Sequence, residues 1–239
     1  LCAALVSVMR PCAGGHPKRR MRRGGRHADS PRAWEIPSPE KVWQMQMKLG
    51  CVLMAAGAAR RFGENKLLAE FAGAPLYEWA LAAIPAEEFA GVAVVSHYEA
   101  ILRAAQLRGF AAVYNPAPED GVSRTIALGM DALPGMDALL FLVADQPLLR
   151  RESVAAQTAF FRAHPRNIVA LGHGGRRGNP VVFPAEYFPA LRALTGDAGG
   201  SAVIRGALDA LLLFEIADPL ELADVDTTGA LHALSGMRR

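Results

Sequence analysis

The chain has little cysteine: Cys2, Cys12 and Cys51 are its only three, widely spaced among 239 residues. So odd and scattered a set argues against a disulfide framework and against a zinc site, and a reducing, cytoplasmic setting is the simplest expectation. Long apolar runs are also missing; none approaches the roughly 20 residues that a membrane span requires. His97, His164 and His173 have no partner at metal-ligand or triad spacing and read as ordinary surface or turn residues. Neither a Gly-x-Ser-x-Gly motif nor a Cys/His pairing supports covalent catalysis. No internal repeat is visible. What is present suits a sizeable core, with 51% hydrophobic and 21% charged residues. The length suggests one domain of about 190 residues plus an appendage.

The formal net charge of +3 conceals two unlike pieces. Residues 1–47 carry nine Lys/Arg against three Asp/Glu, whereas residues 48–239 carry seventeen against twenty. The basic balance belongs to the first piece, and the remainder gives no general case for binding nucleic acid. Lys18-Arg-Arg-Met-Arg-Arg-Gly-Gly-Arg26, followed by Ser30-Pro31, Ile36-Pro37 and Ser38-Pro39, shows neither helical nor strand period and reads as a disordered leader. A nucleic-acid or membrane-surface tail and a targeting peptide are the alternatives. The targeting reading lacks basic residues ahead of Leu1–Met9 and a small-residue cleavage site after it. The expectation is an upstream extension outside the working protein: residue 1 is leucine, and Met47-Lys-Leu-Gly-Cys-Val-Leu53 would be a natural beginning. Residues 48–239 then form the working domain.

From residue 50 the pattern alternates strand and helix. Gly50–Ala56 is a short apolar run bounded by glycines, hence a buried strand. Pro75 starts a helix to about Ile84. Val92–Ser96 and Ala111–Tyr114 read as strands, separated by a helix near Glu99–Arg108. A helix over Ser123–Leu133 leads to Ala138–Ala144, whose continuous apolarity predicts the centre of the sheet. After a helix near Glu152–Ala163, the strand Ile168–Leu171 is followed by a glycine-rich turn, Gly172–Asn179, and a returning strand, Pro180–Phe183. Helices at Glu186–Leu194 and Gly200–Leu208, a last strand at Leu211–Ile216 and a terminal helix complete the chain. Short βα repeats of this kind predict a single three-layer α/β/α domain with a mostly parallel, Rossmann-like sheet.

In such sheets ligands bind outside the carboxyl ends of the strands. Three features fall there. The first is the loop after the opening strand, where Gly57, Arg61, Gly63 and Lys66 combine close backbone approach with two cations, as a polyphosphate needs. It is neither a Walker loop nor G-x-G-x-x-G. The second is Asp145, which ends the most apolar strand, and the third is the pair Asp224/Asp226 after the last strand. Carboxylates beside a polyphosphate loop are what Mg²⁺ takes, as a hard cation that shares phosphate oxygens. The plainer readings are a turn or cap for Asp145 and an ordinary helix cap for Asp226. Gly174-Gly-Arg-Arg-Gly178 reads either as a plain hairpin turn or as a phosphate holder through Arg176 or Arg177.

Several of these stretches together resemble the molybdenum cofactor cytidylyltransferases, within the wider nucleotidyltransferase superfamily. Leu53–Leu68 resembles their L-x-A-A-G-x-S-x-R-x-G-x-x-K-L-L signature, with Ala59 in the serine position. Val143-Ala-Asp-Gln-Pro-Leu148 is similar to their acidic Mg-binding motif, and Asp224-Val-Asp-Thr-Thr228 to a terminal Asp-Ile-Asp-Thr-Pro. Asn115-Pro116, Gly121 and Thr125 follow an Asn-Pro…Gly…Ser segment that lies along the nucleotide, with Arg124 where a serine is common. Gly178-Asn-Pro-Val-Val-Phe183 and Gly196-Asp-Ala-Gly-Gly200 resemble the motifs of the half that receives the pterin. The match covers about residues 49–234.

The resemblance implies a fold of the nucleotide-diphospho-sugar transferase type and a transfer of CMP from CTP to molybdopterin. It assigns Ala55, Ala56, Gly57, Arg61, Gly63, Lys66, Asn115, Gly121 and Thr125 to the nucleotide, and Gly178, Asn179 and Pro180 to the acceptor. Arg61, Lys66 and Asp145 are then the catalytic residues, and Asp145 and Asp226 the Mg²⁺ ligands. The partners implied are small molecules, with transient contact to a molybdenum hydroxylase or its chaperone. The alternatives are a guanylyltransferase, another phosphate-substrate nucleotidyltransferase, or a non-catalytic molybdenum cofactor chaperone for a hydroxylase.

Overall fold

The computed structural model describes residues 47–57 and 66–236. The leader reading for residues 1–46 and the assignments of Arg61 and Gly63 lie outside these residues. Met47 is a core residue, 5% exposed, and its carbonyl accepts from Arg162 Nη1 at 3.1 Å.

The strands are β1 (Leu49–Met54), β2 (Glu70–Phe71), β3 (Ala74–Pro75), β4 (Gly91–Ser96), β5 (Ala111–Tyr114), β6 (Ala138–Val143), β7 (Ile168–His173), β8 (Arg176–Pro184) and β9 (Leu211–Glu215). The helices are α1 (Leu76–Ala82), α2 (Glu99–Leu107), α3 (Val122–Ala132), α4 (Arg151–Ala163), α5 (Phe188–Arg192), α6 (Gly200–Arg205) and α7 (Thr228–Ser235). Seven strands form one sheet in the order β5-β4-β1-β6-β8-β7-β9, and β2 pairs with β3 in a small separate hairpin. β8 runs antiparallel to both its neighbours, and the other pairs of the large sheet are parallel. The predicted mostly parallel sheet is thus found, with β6 at its centre.

Alternation along the strands divides the core into two layers. Leu49, Cys51 and Leu53 of β1, with Leu140 and Leu142 of β6, meet Leu81 of α1, Ile101 of α2 and Phe161 of α4 on one face. Val52, Leu139 and Phe141 point the other way, onto Ile126 and Met130 of α3, Leu191 of α5 and Ile204 of α6. Period two in the strands therefore feeds both helical layers. The helices answer with their own period: α4 buries Val154, Gln157, Thr158 and Phe161, one stripe at helical spacing. α3 comes so close to the sheet that a Cβ on Gly129 would lie 2.3 Å from Val52 Cγ1. A third, smaller cluster of Phe71, Leu76, Val225, Leu231 and Leu234 seats the β2–β3 hairpin against α7.

One expectation is corrected. The turn predicted over Gly172–Asn179 is only two residues long. Gly174 and Gly175, with φ of 59° and 75°, close a tight hairpin, and pairing resumes at once with His173 opposite Arg176. Two consecutive left-handed glycines are the geometry that a two-residue hairpin demands. Arg176, Arg177, Gly178 and Asn179 are therefore strand residues of β8. No helix among the described residues is long and apolar enough to cross a membrane.

Candidate active site

The carboxyl ends of the parallel strands and the amino end of the antiparallel β8 share one edge of the sheet, and the candidate residues gather there. Ala55 and Ala56 leave β1 buried, and Ala55 is pinned on both sides. Its N–H donates to Val95 O, and its carbonyl accepts from Ser96 Oγ, both at 2.9 Å. Gly57 is exposed, and a Cβ there would meet nothing within 4 Å among the described residues. His97 follows β4 on this edge, stacked on Tyr98. Its Nδ1 is buried with no hydrogen-bond partner among the described residues. Burial lowers its pKa, with Glu119 opposing the shift.

An ion-paired centre lies at the ends of β1 and β6. Lys66 opens a single 3₁₀ turn, Lys66–Leu68, and its Nζ donates to Asp145 Oδ2 at 2.7 Å and to Asp226 Oδ1 at 3.3 Å. The Lys66 and Asp145 side chains are 14% and 23% exposed and Asp226 is 69% exposed, so the pair with Asp145 is the less screened. Burial pulls the Lys66 pKa down, but the Asp145 and Asp226 carboxylates outweigh it and hold the ammonium above its ordinary value. Asp224 joins the cluster: its Oδ1 accepts from Gln146 Nε2 at 2.9 Å. Although Asp224 as a residue is exposed, its carboxyl is desolvated. That desolvation and the nearby Asp145 charge raise its pKa, against the hydrogen bond from Gln146. Among the described residues, no three His, Cys, Asp or Glu side chains converge so as to hold a metal ion unaided.

The loop after β6 holds the distant acidic segment in place. Gln146 is 2% exposed, and its Nε2 also donates to Leu222 O at 3.3 Å, while Val225 N donates to Asp145 O at 2.9 Å. Arg150, just ahead of α4, grips the buried Glu221 carboxylate. Its Nε and Nη2 donate to Oε1 at 2.9 and 2.7 Å, and its backbone N–H donates to Oε2 at 3.1 Å. Two acceptors on Gln146 Nε2 settle the orientation of that amide. Its Oε1 then has no partner among the described residues.

The predicted nucleotide residues of the β5–α3 loop turn inward. Asn115 is fully buried; its Oδ1 accepts from Ala117 N at 3.1 Å and its Nδ2 donates to Thr125 Oγ1 at 3.3 Å. Gly121 has φ of 91°, and a Cβ on it would lie 2.3 Å from the Gly196 backbone. Ser123 N donates to Gly196 O at 3.1 Å. This glycine thus lets the loop touch the Gly196–Gly200 segment of the second half.

Beside Asp224 opens a cleft of about 410 Å³. Arg176, Arg177, Gly178 and Asn179 enter it from β8, joined by His173, Ser201, Gln146 and Asp224. Of the predicted acceptor residues, Gly178 and Asn179 line it, and Pro180 is buried after a cis Asn179–Pro180 bond. Gly178 gives room to Leu222, 2.8 Å from where its Cβ would be. Arg177 Nη2 donates to Ser201 Oγ at 2.9 Å, and neither Arg176 nor Arg177 has a carboxylate partner among the described residues. His173, read from sequence as an ordinary residue, is a lining residue whose Nδ1 meets Ile216 O at 2.9 Å. Gln146, Glu221 and His173 carry no motif spacing that marks their roles; the one signal was Gln146 beside Asp145.

The model of the MobA-like NTP transferase domain family matches residues 51–211, and the chain belongs to that family. It is 29% identical to the purine catabolism protein PucB of Bacillus subtilis (strain 168) over 192 residues, 74% of this chain and 90% of that one. Its fold is similar to that of a nucleotidyl transferase from Methanothermobacter thermautotroptrophicus: TM-score 0.66, 18% identity, 80% of this chain and 97% of the other. It is also similar to that of CMP:2-keto-3-deoxy-manno-octonic acid synthetase complexed with CTP: TM-score 0.60, 18% identity, 80% and 98% covered. At these identities the structural likeness is one of fold, the nucleotide-diphospho-sugar transferase type. Family and fold together define a nucleotidyltransferase of the MobA-like type.

Proposed function

We propose that the protein transfers CMP from CTP to the terminal phosphate of molybdopterin carrying molybdenum, giving the cytosine dinucleotide form of the cofactor and pyrophosphate. The observation that carries this reading is the adjacency of the Lys66–Asp145–Asp226 centre to a cleft lined by Arg176 and Arg177. Two guanidinium groups without carboxylate partners among the described residues suit an anionic acceptor, which they would hold by charge-assisted hydrogen bonds. One acceptor phosphate oxygen attacks the α-phosphorus of CTP. A new P–O bond forms as the bond to the β-phosphate oxygen breaks, and pyrophosphate leaves with the electron pair.

The nucleophile is already an anion, so no general base is required. Lys66 and Arg61 stabilise charge on the departing pyrophosphate. Asp145 and Asp226 already reach one cation, the Lys66 ammonium, and as oxygen ligands they fit a hard dication. They would hold Mg²⁺, which when bound supplies charge neutralisation between the two phosphates. Gln146 and the Arg150–Glu221 pair fix the acidic segment against the loop after β6. Ala55, Ala56 and Gly57 shape the base and phosphate edge, and Asn115 and Thr125 brace the loop around it.

The choice of CTP rests on the Ala55-Ala56-Gly57 opening and Asp145-Gln146-Pro147, which resemble the cytidylyl branch; the CTP named with one fold relative agrees with it. The B. subtilis relative, named for purine catabolism, favours a second reading: a cofactor chaperone that hands the molybdenum cofactor to a hydroxylase. The deciding experiment measures pyrophosphate release with molybdenum cofactor, Mg²⁺ and either CTP or GTP, using the native chain and Asp145→Ala. CTP-dependent release that vanishes in the variant is expected. Turnover with GTP alone moves the protein to the guanylyl branch, and tight pterin binding without release from either nucleotide makes it the chaperone.

A further inference from the structure

We propose that Lys66 acts as an internal counter-ion that closes the dication site until a nucleotide arrives, so that metal and nucleotide load together. The inference deepens the reading above and rests on it for the identity of the anion. The Lys66 Nζ lies 2.7 Å from Asp145 Oδ2 and 3.3 Å from Asp226 Oδ1, between the two carboxylates assigned to the metal. A dication approaching those oxygens must first displace the ammonium. The displaced Lys66, only 14% exposed, would be left enclosed without a counter-charge, which is unfavourable.

One more observation points the same way. Asp145 and Asp226 are too few to hold a dication unaided, and among the described residues no group of three or more His, Cys, Asp or Glu is placed to hold one. The missing ligands must come from water or from the nucleotide's phosphate oxygens. A triphosphate supplies both what the displaced lysine lacks, an anion, and what the dication lacks, oxygens. By linkage, each then tightens the binding of the other by the same factor.

The test is the affinity of the full chain for Mn²⁺ alone, read from the electron paramagnetic resonance of free Mn²⁺, in the native protein, Lys66→Met and Lys66→Gln. Asp145→Ala defines which Mn²⁺ belongs to this site, and thermal unfolding confirms that each variant is folded. Each lysine variant is expected to bind Mn²⁺ alone about tenfold tighter than the native chain, mid-range for coupling between sites. An α,β-methylene analogue of CTP should tighten Mn²⁺ binding to the native chain by a similar factor and help the variants less. Folded lysine variants that bind Mn²⁺ alone no tighter than the native chain overturn the proposal. Tighter Mn²⁺ binding in the variants, with no pyrophosphate released by the native chain, leaves the counter-ion role standing and removes the transfer reading. The reverse pattern removes the counter-ion role alone.

Discussion

Along the β5–β4–β1–β6 side of the sheet, the residues at the carboxyl edge are small or turned inward. Ala55 and Ala56 are buried, Asn115 and Thr125 bond to each other, and Gly121 lies against the Gly196 backbone. Along the β8–β7–β9 side, the same edge carries Arg176, Arg177, Asn179 and His173, facing an open cleft. The difference follows from strand direction. A parallel strand brings its last residue, such as His173 of β7, and the loop beyond its end to this edge. The reversed β8 brings its opening residues, already held in register by β7, so long side chains can be aimed. In the proposed reaction the first side shapes a pocket for the nucleotide with backbone and small residues. The second grips an anion with charge, and Lys66, Asp145 and Asp226 lie where the two meet.

That division can be broken at the junction with the greatest effect. Asp145→Ala should lower transfer by roughly 10³-fold and also lower the Tm, because it takes the nearer carboxylate from a lysine that is only 14% exposed, as steady-state pyrophosphate release and a melt would show. Next comes a glycine that lets the halves touch. Gly121→Ala forces a side chain onto a backbone 2.3 Å away at a φ of 91°, and should cost about 3 kcal/mol in denaturant unfolding. If that variant keeps native stability, the contact with Gly196 is not what joins the two halves.

The acceptor side is sharpened by smaller effects. Arg176→Ala and Arg177→Ala should each raise the acceptor KM roughly tenfold, the worth of one charge-assisted hydrogen bond, with the CTP KM unchanged. Equal losses toward both substrates would erase the proposed division of labour. The smallest effect concerns Asp224. Its folded pKa lies above the ordinary value, so its proton is held more tightly in the folded chain, and stability falls as pH rises through that folded pKa. Asp224→Asn removes the desolvated charge and keeps an oxygen for Gln146. Its Tm should be slightly above native at neutral pH, with the gain vanishing below the ordinary carboxylate pKa of 3.8.

Much of the scaffold could be read in advance. Ala111–Tyr114 is a strand to the residue, and the helices near 99–108 and 152–163 differ from those found by about a residue at an end. Their signals are local: a short apolar run, or a buried stripe at helical spacing. The hairpin after β7 could not be read this way, because a glycine-rich stretch does not say which glycines take the left-handed region. Once Gly174 and Gly175 take it, Arg176–Asn179 change from turn to strand. The local bonds of Asn115 could not be read either: its buried side chain accepts from Ala117 N and donates to Thr125 Oγ1, a residue ten positions on.

The sequence by itself determined the alternation of strands and helices, the central place of the Ala138–Val143 strand and the identity of the charged residues near the strand ends. Hydrophobic period and turn chemistry act over a few residues, and that range suffices for them. The tertiary structure alone decided that Lys66 meets carboxylates 79 and 160 residues away, that Gln146 and Arg150 hold the segment bearing Asp224 and Asp226, and that a reversed strand aims two arginines beside them. Such contacts are made by packing and by the pairing order of the sheet. A charge finds its partner only when the chain between them is folded.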